Sequence, residues 1–234
     1  MFDLSNICDP RECGVIVDAG AHRGGFLFAA IDYFQPERAV AIEMLDDLAE
    51  GLRNDARLAP HYVLHCALGD WKGEAPCWRS AHSEASSLLE IDPRASSWYG
   101  IDLQQTLYGS VRVRTLDDIC EELRINSIDV LKIDVQGYTL PVIRGARRIL
   151  QRTRRLIVEV EFVPVYQGQA VFDEVDATLR SLGMTRHGYL AKYVSQSGQL
   201  LHGDALYVAR RRWSGVLSAA RRDRLVRAGP DQVS

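Results

Sequence analysis

Short apolar runs alternate along the chain with longer segments in which apolar residues recur every three or four positions. The short runs predict strands at residues 14–18, 39–43, 62–66, 130–134, 156–161, 185–190 and 205–210. The longer segments predict helices at residues 25–34, 46–57, 116–123, 140–151 and 172–182. Because strands and helices alternate, we expect an α/β fold, doubly wound around a mostly parallel sheet.

The connection before the fourth main strand breaks this rhythm. Residues 69–110 form a segment much longer than an ordinary loop, and they carry three of the four tryptophans. Long connections inside a compact domain are commonly functional. We expect this insertion to form a lid or wall over a ligand; the alternative is a hairpin from Trp71 through Trp78 packed on the sheet edge. The candidate contact residues are Ser87, Trp98 and Tyr99.

The turn after the first predicted strand suits a nucleotide. The strand ends on Asp18 and runs into a glycine-rich turn that opens a helix, where free backbone N–H groups attract oxygen atoms. The glycine spacing departs from the G-x-G-x-x-G fingerprint of dinucleotide sites. A strand-terminal acid can instead accept a hydrogen bond from an ammonium, which favours a nucleoside carrying a cationic amino acid, such as S-adenosylmethionine. The candidate binding residues here are Asp18, Gly20, His22 and Gly24.

A second acid lies at the end of the next predicted strand. Glu43 follows the run at residues 39–42 and occupies the place from which, in doubly wound folds, a carboxylate takes both ribose hydroxyls. The alternative is a solvated glutamate that opens the following helix. Met44 and Ala67, which follow the second and third predicted strands, complete the expected donor site.

A further informative segment spans residues 128–146. It is considered together with three others, at residues 18–24, 113–118 and 157–162. Together they resemble the FkbM family of methyltransferases, and the resemblance extends over about residues 15–208. It implies S-adenosylmethionine as donor, S-adenosylhomocysteine as product, and a single Rossmann-like class I methyltransferase domain. It also implies methylation of a hydroxyl on a sugar or secondary metabolite.

The chain departs from the family pattern at several positions. His22 stands where the family commonly has asparagine, and Gln136, Tyr138 and Thr139 replace two glutamates and a histidine, whereas Asp134 keeps its place. If the missing groups relay protons or bind metal in relatives, this chain must manage otherwise or act on a different acceptor.

Methyl transfer from a sulfonium to a hydroxyl requires alignment and removal of the hydroxyl proton. Asp134, at the end of the fourth main strand, is the first candidate for the base, and Glu159 and Glu161 come next. The two glutamates flank Val160, and we expect that they do not both face the same space. Alternatively, Asp134 and one glutamate bind a divalent metal that activates the hydroxyl. A third interpretation is that Asp134 caps the next helix or binds the donor's nucleoside.

Composition sets wider bounds. The chain has 234 residues, of which 47% are hydrophobic, and a net charge of −3. We therefore expect one domain at residues 1–212, no nucleic-acid partner and no membrane span. The five cysteines lack metal-ligand spacing and predict reduced thiols in the cytoplasm, with Cys13 as the candidate for an exposed thiol. The N-terminus does not look like a signal peptide. The arginine-rich tail at residues 213–234 is interpreted as a docked terminal helix rather than a basic surface helix.

The expected function is therefore O-methylation of a small sugar-containing or polyketide-like metabolite, with a small-molecule hydroxyl acceptor as partner. Two alternatives remain at this point: a donor-binding scaffold that has lost catalysis, and a nicotinamide-dependent oxidoreductase, which the glycine spacing disfavours. The sequence leaves a homo-oligomer open.

Overall fold

The computed structural model describes residues 3–100, 102–195 and 197–210. The predicted basic tail at residues 213–234 lies outside the described residues. In chain order the strands are β1 (Val15–Ala19), β2 (Arg38–Glu43), β3 (Tyr62–His65), β4 (Ala67–Leu68), β5 (Gly73–Ser80), β6 (Gln105–Arg114), β7 (Ile128–Ile133), β8 (Thr153–Glu161), β9 (Met184–Val194) and β10 (Leu200–Ala209). The α-helices are α1 (Gly25–Phe34), α2 (Asp46–Arg53), α3 (Ala95–Tyr99), α4 (Leu116–Glu122), α5 (Thr139–Arg144), α6 (Arg147–Leu150) and α7 (Phe172–Ser181).

The main sheet has seven strands in the order β3-β2-β1-β7-β8-β10-β9. The first five strands in this order are parallel to one another. Strand β10 lies between β8 and β9 and runs antiparallel to both. The predicted α/β fold with a mostly parallel sheet is therefore confirmed. Because β1 and β7 are neighbours, the ends of two strands distant in sequence meet at one edge of the sheet.

Both faces of the sheet are covered, which explains why the central strands β1 and β7 are mostly apolar and almost wholly buried. Ile16 and Val130 pack on the face covered by α1 and α2, whereas Val17 and Leu131 pack on the face covered by α4 to α7. Side chains on a strand alternate between its two sides, so one continuous apolar run supplies both halves of the core.

Two predicted helices are shorter than expected. The helix predicted at residues 46–57 ends at Arg53, and the one predicted at 140–151 is divided into α5 and α6. The division falls at Gly145, which packs closely against the backbone of Gly69. A Cβ added at Gly145 would be 1.9 Å from the Gly69 carbonyl oxygen. Glycine at this position lets the start of the insertion pack on the domain.

The insertion at residues 69–110 is largely regular structure. β5 pairs antiparallel with β6, and β6 pairs with β4, so a second, three-stranded sheet forms. The alternative of a hairpin from Trp71 through Trp78 is wrong, because β5 pairs with β6, which begins near the far end of the insertion. The expectation that Cys13 is exposed is also wrong, since Cys13 is buried beside Cys8 in the core. No helix in the described ranges is both long enough and apolar enough to cross a membrane.

Candidate active site

A cavity of about 720 Å³ opens at the carboxyl ends of β1, β2, β7 and β8. This is the edge at which open α/β sheets bind ligands. The insertion contributes part of its wall, including Ser83, Ser86 and Tyr99. The predicted site residues on the wall are Asp18, Gly20, His22, Glu43, Met44, Ala67, Tyr99, Asp134, Glu159 and Glu161.

The turn after β1 depends on Gly20. Its φ is +84°, and a Cβ at this position would be 1.7 Å from the Asp134 carbonyl oxygen. The backbone N–H groups of Gly20 and Ala21 both donate to the Ile42 carbonyl oxygen, at 2.9 and 3.0 Å. The glycine therefore allows the ends of β1, β2 and β7 to meet on one side of the cavity.

Glu43 is buried and is oriented by the backbone. Its Oε2 accepts from the His22 N–H at 2.7 Å, and its Oε1 accepts from the Leu45 N–H at 2.9 Å. Burial raises the pKa of this carboxyl, and the backbone hydrogen bonds partly offset that effect. Each carboxylate oxygen has a further lone pair, so this group can accept two hydroxyl donors from a ligand.

Asp18 offers a different kind of acceptor. Its side chain is 1% exposed, and Oδ1 has no hydrogen-bond partner. Burial raises its pKa to about 7, although the nearby Lys132 ammonium opposes the shift. An unpaired buried carboxylate oxygen carries a desolvation penalty that a cationic ligand would relieve.

His22 and Gly24 shape the turn differently from each other. The His22 imidazole is 2.8 Å from the Ser83 hydroxyl oxygen through Nε2, which links the turn to the insertion. Gly24 is not on the cavity wall. Its left-handed conformation, with φ of +79°, starts α1, and a Cβ at this position would meet the Phe28 ring at 2.5 Å.

Asp134 lies directly after β7, and both of its carboxylate oxygens are hydrogen-bonded. The Lys132 ammonium donates to Oδ2 at 2.6 Å, and the Gln136 amide donates to Oδ1 at 2.7 Å. Burial alone would raise the pKa of Asp134, but the Lys132 charge and the hydrogen bonds from Lys132 and Gln136 together outweigh burial, and the pKa is lowered. Asp134 is therefore ionised at neutral pH.

The Gln136 side chain joins Asp134 to Glu159. Its Nε2 also donates to Glu159 Oε2 at 2.7 Å, while its Oε1 accepts from the Tyr166 hydroxyl at 2.9 Å. One amide thus donates to two carboxylates, and the tyrosine fixes which way the amide points. Burial, followed by the Asp134 charge, raises the pKa of Glu159 well above its usual value.

Glu159 and Glu161 both line the cavity, so the expectation that they do not face the same space is wrong. Residues two apart on a strand point to the same side, and only Val160 between them points away. Glu161 is 3% exposed, and its Oε2 has no hydrogen-bond partner. Burial and the Asp134 charge raise its pKa to about 8.

Ser87 and Trp98 are not on the cavity wall. The buried Ser87 hydroxyl donates to the Gln136 carbonyl oxygen at 2.6 Å, so this residue supports the loop that carries Gln136. Trp98 packs in a small cluster behind the wall, together with Val165 and Tyr166. Tyr99 does reach the cavity, where its hydroxyl is 2.7 Å from His202 Nδ1.

Sequence reasoning missed several residues on the wall. Lys132 gave a signal, because a lysine inside a buried apolar strand is rare unless it is paired. The others lie on β9, on β10 or in loops, and their position at the cavity depends on the fold. The missed residues are Lys132, Gln136, Tyr166, Tyr193, His202 and Asp204.

A metal site is not evident from side-chain placement. Within the ranges that the structure describes, no three histidine, cysteine, aspartate or glutamate side chains form a group able to hold a metal ion. Asp134 and Glu159 approach each other, but the Gln136 amide lies between their oxygens. The metal interpretation of Asp134 therefore stays a hypothesis for experiment.

Comparison with known proteins gives a family match. A family model described as the methyltransferase FkbM domain matches residues 18–190. The 2-O-methyltransferase NoeI of Sinorhizobium fredii (strain NBRC 101917 / NGR234) is 42% identical over 60 residues, which are 26% of this chain and 25% of NoeI. A crystal structure of methyltransferase FkbM from Methylobacillus flagellatus KT has a TM-score of 0.54 at 18% identity, over 84% of this chain and 44% of that one. The chain thus spans less than half the length of either relative.

Proposed function

The chain belongs to the FkbM methyltransferase family, and from this membership we propose that it transfers the methyl group of S-adenosylmethionine to a hydroxyl of a small sugar-containing or polyketide-like acceptor. The observation that carries the proposal is the division of one cavity into two parts. Glu43, which the backbone orients, lies at the end of β2 beside the buried Asp18 of β1, and an ionised carboxylate joined to a second one lies at the ends of β7 and β8.

In this proposal the donor lies along the ends of β2, β1 and β7. Glu43 accepts both ribose hydroxyls, and the free oxygen of Asp18 accepts the ammonium of the methionine part. Met44 and Ala67 contribute apolar surface beside the adenine ring of the donor. These contacts leave the sulfonium facing the Asp134 side of the cavity.

The transfer step breaks the bond between sulfur and methyl carbon while the acceptor oxygen bonds to that carbon. The hydroxyl proton leaves to a carboxylate, and Asp134 is the first candidate because its lowered pKa keeps it ionised. Burial and the Asp134 charge raise the pKa of Glu159, so Glu159 holds its proton more readily than Asp134 does. Gln136 positions both groups, and it does not touch the reacting atoms in this scheme.

Calorimetric titration with S-adenosylhomocysteine tests the donor site. Glu43→Ala removes two charge-assisted hydrogen bonds to ribose, so we expect the affinity to fall by about 10²–10⁴-fold. Glu50→Ala, an exposed glutamate on α2, is the matched control and should bind as the parent does. Unchanged affinity in Glu43→Ala would refute the ribose assignment.

The alternatives separate in the same experiment. Binding of NAD in place of S-adenosylhomocysteine would favour an oxidoreductase. Transfer of labelled methyl from S-adenosylmethionine to a panel of sugars and polyketide alcohols then tests catalysis. Tight donor binding with no labelled product from any alcohol would favour the scaffold that has lost catalysis.

A further inference from the structure

We propose that the part of the cavity lined by β8 and β10 binds an ammonium group on the acceptor. The preferred acceptor is then an amino sugar or a similar amine-bearing alcohol. This inference rests on the proposed function, because it treats that part of the cavity as the acceptor site. We refer to it as the acidic subsite, and its residues are Glu159, Glu161, His202 and Asp204.

The acidic subsite has more carboxyl groups than nearby cations. Asp204 on β10 lies directly opposite Glu159 on β8, and His202 lies opposite Glu161. Lys132 is the only lysine or arginine among the described cavity residues, and it is bonded to Asp134. Lys132 also lowers the pKa of Asp204, so one ammonium is shared among the carboxylates of this wall, and Glu161 has no cation beside it in the described part of the chain.

Glu161 points to a ligand independently of its acidic neighbours. It lines the cavity, it is 97% buried, and its Oε2 lacks a hydrogen-bond partner. The Gln169 amide lowers the pKa of the Glu161 carboxyl, although Glu161 Oε2 and Gln169 Nε2 are both buried without a hydrogen-bond partner. A buried acceptor atom without a donor destabilises a protein, and a ligand N–H at this place would satisfy it.

The donor's own ammonium is too far away to serve this oxygen. In the proposed mode that ammonium lies at Asp18 on β1, whereas Glu161 ends β8, two strands away across β7. Neighbouring strands are about 4.8 Å apart, so the two positions are separated by roughly 10 Å. Glu161 is thus placed for a second molecule.

Aromatic rings border the acidic subsite. Tyr193 stacks on the His202 ring at 4.1 Å, and Tyr99 stacks on it from 5.7 Å, with both tyrosines on the cavity wall. Tyrosine faces attract cations, and they also pack against the apolar faces of sugar rings. An amino sugar combines both features in one ligand.

Ammonium binding should be linked to the loss of a proton. The pKa of Glu161 is about 8 because of burial and the Asp134 charge, and that of Asp204 is about 6 for the same two causes, so without ligand Glu161 is mostly protonated at pH 7. The groups facing this pair are Asp134, Glu159, Lys132, Tyr99, Tyr166 and His202. An ammonium favours the ionised carboxylate, so its affinity should increase with pH up to about 8.

The test measures binding of three sugars to the parent protein, with and without S-adenosylhomocysteine, by titration followed with NMR. The probes are 6-amino-6-deoxyglucose, glucosamine and glucose, so that the amine is present at two positions or absent. At pH 7 we expect at least one amino sugar to bind about tenfold more tightly than glucose. That preference should increase about tenfold from pH 6 to pH 7, while glucose binding stays constant.

Two variants decide what causes the preference. Glu161→Gln keeps the shape of the side chain and should abolish the preference, whereas Glu174→Gln, an exposed glutamate on α7, should retain it. The affinity of Glu161→Gln for S-adenosylhomocysteine should match that of the parent, which also shows that the variant folds.

The outcomes separate this inference from the proposed function. If S-adenosylhomocysteine binds and neither amino sugar is preferred, the acidic subsite is refuted while the function stands. If the amino sugar is preferred but S-adenosylhomocysteine does not bind, the function fails and the subsite stands. A loss of S-adenosylhomocysteine affinity in a folded Glu161→Gln would assign the carboxylate to the donor and overturn the inference.

Discussion

The two parts of the cavity are built in different ways. In the donor part, at the ends of β1 and β2, the backbone sets the geometry: Gly20 allows a close approach, and main-chain N–H groups orient Glu43. In the acceptor part, at the ends of β7, β8 and β10, side chains orient one another through the amide of Gln136. Backbone contacts survive most side-chain changes, whereas one substitution can rearrange a side-chain network.

This difference has a consequence for specificity. The donor is expected to be common to the family, and a backbone-built site suits a ligand that does not change. The acceptor part instead contains Gln136 and Tyr138 at positions where the family commonly has other polar groups. Acceptor preference can therefore change in this chain while donor binding is conserved.

The largest expected effect is in the acceptor part. Asp134→Asn keeps the shape of the side chain and removes the charge, so we expect turnover to fall by about 10²–10⁴-fold. The affinity for S-adenosylhomocysteine should change by less than about threefold, since Asp18 and Glu43 are untouched. Steady-state kinetics together with calorimetry measures both quantities.

A chelator separates the two roles that Asp134 can have. Loss of parent activity that magnesium, manganese or calcium restores would support metal binding, and no effect would support a base. If Asp134→Asn turns over at the parent rate on its true acceptor, Asp134 has neither role, and Glu159 or Glu161 is the next residue to test.

Next in size is a change to the backbone of the donor part. Gly20→Ala places a methyl group 1.7 Å from the Asp134 carbonyl oxygen, so the strand ends must separate. We expect the free energy of unfolding to fall by about 3 kcal/mol. The control is Gly51→Ala in α2, where a Cβ meets no atom within 4 Å and about 0.5–1 kcal/mol of stabilisation is expected. Equal denaturant midpoints for both variants would contradict the close approach.

The third prediction concerns pH and the donor part. Asp18 has a raised pKa of about 7, so without ligand it is mostly protonated at pH 6 and mostly ionised at pH 8. Because the donor's ammonium binds the ionised form, affinity for S-adenosylhomocysteine should fall about tenfold as the pH decreases from 8 to 6. Calorimetry at three pH values measures this slope. In Asp18→Asn the slope should disappear, and a slope that persists would assign the titration to another group.

The smallest effect distinguishes two neighbouring aromatic residues in α3. Tyr99→Phe removes the hydrogen bond between the tyrosine hydroxyl and His202 on the cavity wall, and the acceptor KM should rise by about 3–10-fold. Trp98→Phe changes a ring that packs behind the wall, so its KM should stay at the parent value. The opposite order would place Trp98, rather than Tyr99, in contact with the acceptor.

The sequence by itself determined the sheet and most of the donor part. Apolar runs such as β1 and β7 can only be buried strands, and an acid or glycine at the end of a parallel strand must lie at the ligand edge. The positions of Asp18, Gly20 and Glu43 on the cavity wall could therefore be predicted from the sequence, because each residue lies at or next to the end of a parallel strand.

Only the tertiary structure decided the acceptor part. His202 and Asp204 meet Glu161 and Glu159 because β10 runs antiparallel beside β8, and strand order cannot be read from the apolar pattern. Trp98 and Tyr99 were both expected at the ligand, but only Tyr99 of the two lies on the cavity wall once α3 has folded. Contacts between side chains distant in sequence depend on strand order, register and packing, and these arise only when the whole chain buries its apolar surface.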